Sequence, residues 1–167
     1  KAQEMFLQQI VAAGLLDRMA MLAPAGTFAI QDQQDVDKDT RRAQLRRLRS
    51  SYQSSKTNLR RTPLYIPRTS FVSQREIRCL PTFVCYNDIV TSGEDSKRTV
   101  HMRGVTIVSR EWLPSITVGT HLCEFPPPSS TEPPTYDSKL DTMTCVSRPK
   151  FGPHRWELPL TTVPLSR

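Results

Sequence analysis

Two runs of strand-forming residues with a turn between them constrain the fold of this chain most strongly. Residues 82–90 and 99–108 are both rich in β-branched, aromatic and other apolar side chains, which favour a pleated backbone. Residues 93–95 between them carry a turn signal that begins with Gly. The pattern predicts an antiparallel pair joined by the loop 92–98, within a mainly β fold such as a small antiparallel barrel or sandwich.

The segments around this pair predict one helix and several shorter strands. In residues 1–22, apolar side chains such as Phe6 and Ile10 recur at the spacing of one helix face, and Pro24 ends the pattern. We expect this apolar face to pack in the core. Shorter runs predict further strands at residues 27–30, 64–66, 142–146 and 156–160.

The net charge of +7 comes from one segment. Eight basic residues and no acidic residue lie from Arg41 to Arg61, so subtracting +8 from +7 leaves −1 for the rest. A segment with many charges and few large apolar side chains cannot offset its ordering entropy by burial. Residues 31–62 therefore predict a charged insertion that is flexible, or transiently helical around residues 40–49. Its charge favours a nucleic acid or another polyanion as partner. The alternatives are a solvated loop without a partner and pairing with the acidic stretch that precedes the basic one.

The chain lacks the motifs of several enzyme classes. No Gly is followed by Lys, which excludes a phosphate-cradling P-loop, and the GxSxG and HExxH patterns are also missing. His121 and Cys123 would share a strand face, but no second pair lies near them in sequence to complete a zinc site. We therefore expect no catalytic constellation, no metal site and no cofactor in this chain. Four cysteines without a paired pattern are typical of reduced thiols in an intracellular protein.

A polar strip follows the predicted turn. On a strand, the side chains of residues 97, 99, 101 and 103 share one face. Together with neighbouring loop residues they form a candidate RNA-binding set, which consists of Arg68, Lys97, Arg98, Thr99, His101 and Arg103. Such side chains suit contact with phosphate and ribose, and small barrels bind single strands with a strand face and its loops. The alternative is an outer face that meets only water. The pattern places this strip apart from the basic segment at residues 41–61, which lies outside the predicted barrel.

Three short motifs resemble the C-terminal barrel of DEAH-box RNA helicases. They are YNDIV at residues 86–90, HMRGVTIV at residues 101–108 and WL at residues 112–113. The helix that contains Ala13 and Gly14 is similar to the helix that leads into that barrel. Tail motifs resemble the nucleolar branch of the family that acts in small ribosomal subunit assembly; they are WLP at 112–114, LCEF at 122–125, PPTY at 133–136 and WELP at 156–159.

The resemblance implies an oligonucleotide-binding (OB) fold. The implied parts are an N-terminal helix with a first strand (1–30), the insertion (31–62), the OB-fold core (63–118) and a Pro-rich C-terminal extension that packs on the barrel (119–167). In DEAH-box helicases, RecA-like domains hydrolyse ATP with Mg²⁺, and the barrel closes the RNA tunnel together with the winged-helix and ratchet domains.

The resemblance also implies a function, namely an RNA-binding accessory domain of an ATP-dependent helicase. Its partners would be single-stranded RNA or pre-rRNA and snoRNA, together with ribosome-assembly factors in the nucleolus. Arg103 matches the family pattern, so the resemblance assigns an RNA contact to it. The loop 96–99 is assigned an RNA contact from its location alone. The alternative is a protein-docking module that uses the Pro-rich tail and the basic insertion.

Overall fold

The chain divides into two compact units. The computed structural model describes residues 2–28, 38–74, 76, 79–93, 98–126, 133–139 and 141–164. The units are Lys1–Ser109 and Arg110–Arg167. This division falls within the range 63–118 that the sequence predicts as one core, and the boundaries predicted at residues 30, 62 and 118 stay a prediction.

A curled half-barrel sheet forms the centre of the first unit. Its described strands, in chain order, are β1 (Met19–Leu22), β2 (Tyr52–Ser54), β3 (Leu64–Tyr65), β4 (Phe83–Cys85), β5 (Asp88–Ser92), β6 (Thr99–Arg103) and β7 (Thr106–Val108). In the described part of the chain these seven strands are arranged in the order β5-β6-β3-β2-β1-β4-β7. Neighbouring strands are antiparallel except for β3 and β6, which are parallel. The prediction of a mainly β fold is confirmed.

The first predicted helix is shorter than expected, and a strand replaces its last four residues. Helix α1 (Ala2–Gly14) is followed by a 3-10 turn over Leu16–Arg18 and then by β1. β1 lies between β2 and β4, and Met19 and Ala20 are fully buried. The prediction of helix over residues 19–22 is wrong because hydrogen bonds to two neighbouring strands and burial outweigh local periodicity.

The apolar face of α1 is exposed within the first unit. Among the described residues of this helix only Ala12 is buried, whereas Phe6 is 64% exposed and Leu7 is 63% exposed. The expectation that this face packs in the core is therefore wrong for the described part of the chain.

Residues 38–62 contain regular structure. Helix α2 (Lys38–Leu48) confirms the helix predicted around residues 40–49. The strand β2 and a 3-10 turn over Thr57–Leu59 follow. Tyr52 is fully buried, and its hydroxyl donates to the carbonyl oxygen of Pro81 at 2.9 Å. The prediction of a flexible insertion is therefore wrong at residues 52–54, because Tyr52 gives this segment an apolar group to bury. Residues 31–37 lie outside the described residues.

The short strand predicted at residues 27–30 is not formed in its described half. Thr27 and Phe28 lie in a bend after β1, where the Thr27 hydroxyl donates to the carbonyl oxygen of Pro24 at 2.8 Å. Residues 29–30 lie outside the described residues. The strand predicted at residues 64–66 is confirmed as β3.

The predicted antiparallel pair is confirmed, but each run is divided into two strands. Residues 82–90 form β4 and the first part of β5, and residues 99–108 form β6 and β7. β5 pairs with β6 up to Ser92 opposite Thr99, so the connecting loop lies where the turn signal predicts it. β4 pairs with β7, and their register places Phe83 opposite Val108.

Asn87 and Gly104 mark the point where both runs break. The Asn87 backbone N–H donates to the carbonyl oxygen of Arg103 at 2.9 Å. Gly104 has a φ of +60°, which glycine adopts without the steric cost of a side chain. A Cβ at Gly104 would lie 2.9 Å from the Cβ of Asn87, so the two strands approach too closely there for a larger residue.

The core of the first unit lies on the inner face of the sheet. Its buried cluster consists of Ala20, Tyr52, Leu64, Val84, Tyr86 and Met102. Within it, the hydroxyl groups of Ser54 and Tyr86 lie 2.8 Å apart in a buried hydrogen bond. Complete burial of a large apolar side chain contributes about 1.5–3 kcal/mol, so these side chains account for much of the stability of the unit.

The second unit contains two small sheets. Its described elements are a 3-10 turn over Arg110–Trp112, helix α3 (Leu113–Thr117), and the strands β8 (Cys123–Glu124), β9 (Thr135–Asp137), β10 (Thr142–Ser147), β11 (Lys150–Phe151), β12 (Trp156–Glu157) and β13 (Thr161–Pro164). The sheets are ordered β13-β10-β9 and β12-β11-β8. β10 confirms the strand predicted at residues 142–146, and β12 covers the beginning of the one predicted at 156–160. The rings of Phe151 and Trp156 are buried and stacked, with centroids 6.0 Å apart.

Candidate nucleic-acid interface

Strand β6 presents the predicted polar strip. Met102 is fully buried and Val100 packs against the core, so the alternating residues Thr99, His101 and Arg103 lie on the opposite face of the strand. Arg103 is exposed, and the other two are half-buried. The structure thus brings three of the predicted site residues together on one strand.

The other predicted residues lie in loops. Arg98 is exposed and immediately precedes β6, and Arg68 is exposed in the loop after β3. Lys97 lies outside the described residues. The strip therefore rests on β6 with Arg68 beside it.

His101 is held by hydrogen bonds on one side of its ring only. Its Nε2 lies 3.2 Å from the hydroxyl of Thr99, which in turn lies 3.1 Å from the hydroxyl of Ser92. Its Nδ1 is buried and has no hydrogen-bond partner in the described part of the chain. A buried polar atom without a partner costs about 1–3 kcal/mol. Burial, followed by the positive charge of Arg47, lowers the pKa of His101 below its ordinary value.

Helix α2 joins this strip through a cation–π contact. Tyr65 of β3 is the direct parallel neighbour of His101 on β6, and their ring centroids are 6.0 Å apart. The guanidinium carbon of Arg47 lies 4.6 Å from the centre of the Tyr65 ring. Arginine attracted to an aromatic face in this way is held in a defined position. The sequence predicts that the basic segment lies apart from the strip. This prediction is wrong at Arg47.

A basic cleft lies where α2 meets β3 and β6. Its volume is about 590 Å³, and its polar lining includes Arg46, Arg47, Ser50, Tyr65, Arg68 and His101. No acidic side chain lines it among the described residues. Burial raises the pKa of Tyr65, so its hydroxyl stays protonated at neutral pH. The basic cleft is thus suited to an anion.

A second, smaller pocket continues the polar surface along β6. It has a volume of about 290 Å³ and is lined by Thr69, Ser70, Arg103 and Gly104, among others. The loop after β3 therefore contributes Arg68 to the basic cleft and the two hydroxyl residues to this pocket. Arg60 and Arg61 line a different pocket, together with residues of the 3-10 turn after β2.

The sequence missed two arginines and one tyrosine of this site. The sequence predicts Arg46 and Arg47 in an insertion outside the barrel and places Tyr65 on a short strand. The one local signal is that arginines occupy the last turn of a predicted helix. Nothing local pairs that turn with Tyr65, because their contact depends on the order of strands in the sheet.

Other chemistry is limited in the described part of the chain. No group of three or more His, Cys, Asp or Glu side chains there is placed to hold a metal ion. Cys79, Cys85, Cys123 and Cys145 are free thiols, and only Cys79 is exposed. None of the helices described is long and apolar enough to cross a membrane.

The relatives of this chain are DEAH-box ATP-dependent RNA helicases. It is similar to the Arabidopsis thaliana ATP-dependent RNA helicase DEAH13, with 31% identity over 104 residues, which cover 62% of this chain and 8% of that protein. It is 29% identical over 167 residues to the probable ATP-dependent RNA helicase kurz of Drosophila melanogaster, and this region covers 99% of this chain and 12% of kurz. It is 28% identical over 163 residues to the human probable ATP-dependent RNA helicase DHX37, and this region covers 98% of this chain and 12% of DHX37.

The chain thus spans only about a tenth of the length of the relatives it matches. No protein-family model matches it. The sequence motifs indicate a resemblance to DEAH-box helicases, and the similarity to these three proteins confirms it.

Proposed function

We propose that this chain is an RNA-binding accessory region of a DEAH-box ATP-dependent RNA helicase. The observation that carries the proposal is the basic cleft, where arginines from α2 and from the loop after β3 line one concave surface. Contacts between basic side chains and phosphates supply most of the sequence-independent affinity for nucleic acid. The names of the three relatives support RNA as the partner.

In this proposal the curled sheet is an OB fold in the C-terminal part of the helicase. Within the predicted insertion, residues 38–48 add the basic helix α2 to the surface, and residues 119–167 are a Pro-rich extension. Proteins with small open barrels commonly bind single strands on a strand face and its neighbouring loops. Here strand β6 provides the RNA-binding strand face, and the loop after β3 is its neighbouring loop.

The proposed RNA-binding set combines the strip and the basic cleft. It consists of Arg46, Arg47, Arg68, Lys97, Arg98, Thr99, His101 and Arg103. The guanidinium groups bind phosphate oxygens. The Thr99 hydroxyl and the His101 ring lie on the same strand face, where they contact phosphate or ribose. Such contacts position the RNA without reading its sequence.

The motor lies in parts of the helicase outside this chain. RecA-like domains there hydrolyse ATP with Mg²⁺, and winged-helix and ratchet domains complete the RNA path. The tail motifs support the branch that acts in the nucleolus, on pre-rRNA and snoRNA during small ribosomal subunit assembly. In that setting the chain holds single-stranded RNA while the motor moves along it.

The test of RNA binding compares two matched double variants. Fluorescence anisotropy measures the affinity of the whole 167-residue chain for a single-stranded RNA at several salt concentrations. We expect Arg46→Gln with Arg68→Gln to weaken binding and to reduce the slope of log affinity against log salt by about 0.7 per lost phosphate contact, so by roughly 1.4 in total. The control is Arg60→Gln with Arg61→Gln, which removes the same charge outside the basic cleft.

Each outcome of this comparison has a distinct meaning. Equal weakening by both double variants would show that the basic cleft is not the RNA site. Absence of salt-dependent binding by the unaltered chain would refute the RNA-binding function itself. Unchanged RNA affinity in the cleft variant, with loss of assembly factors from the full-length protein, would instead favour the protein-docking module.

The strip is tested in the full-length helicase. Charge reversal at Lys97, Arg98 and Arg103 should lower RNA-stimulated ATP hydrolysis, because these residues would repel the phosphates they now attract. Basal ATP hydrolysis without RNA is the internal control. Full stimulation in the triple variant would show that the strip does not contact RNA.

A further inference from the structure

His101, which lines the basic cleft, carries a hydrogen-bonding atom that no described protein group satisfies. The Nδ1 of His101 is buried and unpartnered, while its Nε2 is engaged by the Thr99 hydroxyl. Buried polar atoms in folded proteins are nearly always paired, so an unpaired one on a residue that lines the cleft points to a ligand group that pairs with it. A phosphate oxygen accepts a hydrogen bond, so it pairs with Nδ1 when that nitrogen carries a proton.

The groups that face His101 are basic or neutral. Helix α2 supplies Arg46 and Arg47, β3 supplies Tyr65, and the loop after β3 supplies Arg68. On β5 the residue opposite His101 is Val90, which carries no charge. The described lining therefore favours the neutral form of the ring in the free protein.

Resting on the RNA-binding function proposed above, we propose that the basic cleft is a phosphodiester site for single-stranded RNA at which binding takes up one proton. Arg46, Arg47 and Arg68 surround the phosphate. His101 accepts a proton from solvent on Nδ1, becomes an imidazolium and donates that N–H to a phosphate oxygen. The hydrogen bond to Thr99 keeps the ring oriented during this change.

Electrostatic coupling gives the direction of the effect. In the free protein, burial and the charge of Arg47 lower the pKa of His101, so the ring is neutral at pH 7. A bound phosphate places a negative charge beside the ring and raises the pKa of His101 in the complex. Affinity therefore rises as the pH falls between the pKa of the complex and that of the free protein. The change is at most about tenfold per pH unit, since one proton is taken up.

The experiment measures the dissociation constant of a single-stranded RNA oligonucleotide from the whole chain between pH 5.5 and 8. We expect binding to tighten roughly tenfold from pH 8 to pH 6, and titration calorimetry in buffers of different ionisation enthalpy to report proton uptake. His101→Gln keeps a hydrogen-bonding side chain but cannot titrate, so this variant should bind RNA with less than about a twofold change over the same range. The matched control is His121→Gln, which removes an exposed histidine of the second unit and should keep the full pH dependence.

A second measurement does not depend on any variant. The ring proton signals of His101 in NMR spectra of the unaltered chain report its pKa directly, with and without RNA. We expect RNA to move the midpoint of this titration upward. An unchanged midpoint for His101 in the complex would overturn the proposal even if the glutamine variant failed to fold.

The outcomes separate this site from the broader function. Salt-dependent RNA binding without proton uptake, or with the same pH dependence in His101→Gln, refutes the phosphodiester site but leaves the RNA-binding function intact. No RNA binding at any pH refutes both. Proton-linked binding of a phosphoserine peptide, with none for RNA, would show that the basic cleft takes a phosphorylated protein segment and would also refute the proposal.

Discussion

Gly104 lies at the point where β6 ends and β7 begins, and its replacement by Ala tests how closely the two strand runs approach. The new Cβ would lie 2.9 Å from the Cβ of Asn87. Asn87 cannot easily move away, because its N–H donates to the carbonyl of Arg103 and its own carbonyl accepts from the Arg18 guanidinium. The contact is therefore with a pinned backbone position and not with the end of a flexible side chain.

The expected cost has two parts. Ala at a φ of +60° costs about 1–2 kcal/mol, because a Cβ in this region crowds the carbonyl oxygen. Overpacking against Asn87 adds about 1–3 kcal/mol. Gly104→Ala should thus reduce the free energy of unfolding of the first unit by about 2–5 kcal/mol. With the usual dependence on denaturant, this lowers the urea midpoint by roughly 1–2 M.

The assay is hydrogen–deuterium exchange of peptides from residues 83–108 in increasing urea, which reports the first unit separately. Gly26→Ala is the matched control, because Gly26 also has a positive φ, of +87°, but no atom lies within 4 Å of its added Cβ. Asn87→Gly removes the opposing Cβ, so in that background Gly104→Ala should cost no more than Gly26→Ala. Equal costs for Gly104→Ala and Gly26→Ala in the unaltered background would refute the close approach.

Three further predictions concern buried groups. Tyr86→Phe removes the buried hydrogen bond to Ser54 and should lower the free energy of unfolding by about 1–2 kcal/mol. Ser54→Ala should then cost less in the Tyr86→Phe background than in the unaltered chain, because the bond is already lost. Strictly additive costs in urea titrations would argue against the bond. Leu64→Ala should cost about 2–5 kcal/mol by the same measurement, because Leu64 is fully buried, and a cost below that range would place Leu64 at the edge of the core. At pH 8 a thiol reagent should modify Cys79 quickly and Cys85 only after unfolding, since burial raises the pKa of Cys85 to about 11; mass spectrometry that finds rapid labelling of Cys85 would contradict its burial.

The part of the fold that the sequence predicts well is the part that depends on neighbouring residues. β5 and β6 are close in the chain, and their turn begins at a glycine, so both the pairing and the loop position follow from local patterns. The shared face of Thr99, His101 and Arg103 follows from the two-residue repeat of a strand. Each of these features needs no knowledge of distant segments.

The remaining features depend on distant pairings. Residues 19–22 continue an apolar helical pattern, yet they form β1 because β2 and β4 supply hydrogen-bonding partners on both sides. Arg47 reaches Tyr65 because β3 lies beside β6, and this order appears only when the sheet is assembled. Local propensity carries no information on either arrangement, so the sequence alone does not bring the arginines of α2 together with β3 and β6.

The central position of β1 also has a consequence for how the chain folds. β1 is followed first by α2 and then by β2, and its second neighbour β4 comes later still, at residues 83–85. Sheets dominated by such distant pairings typically fold in milliseconds to seconds, because loop closure precedes any gain from pairing. During synthesis β1 leaves the ribosome well before β4, so the hydrogen-bonding edge that pairs with β4 stays open until the chain has been extended through Cys85. Over that interval the strand is a potential target for chaperones and for pairing with other chains.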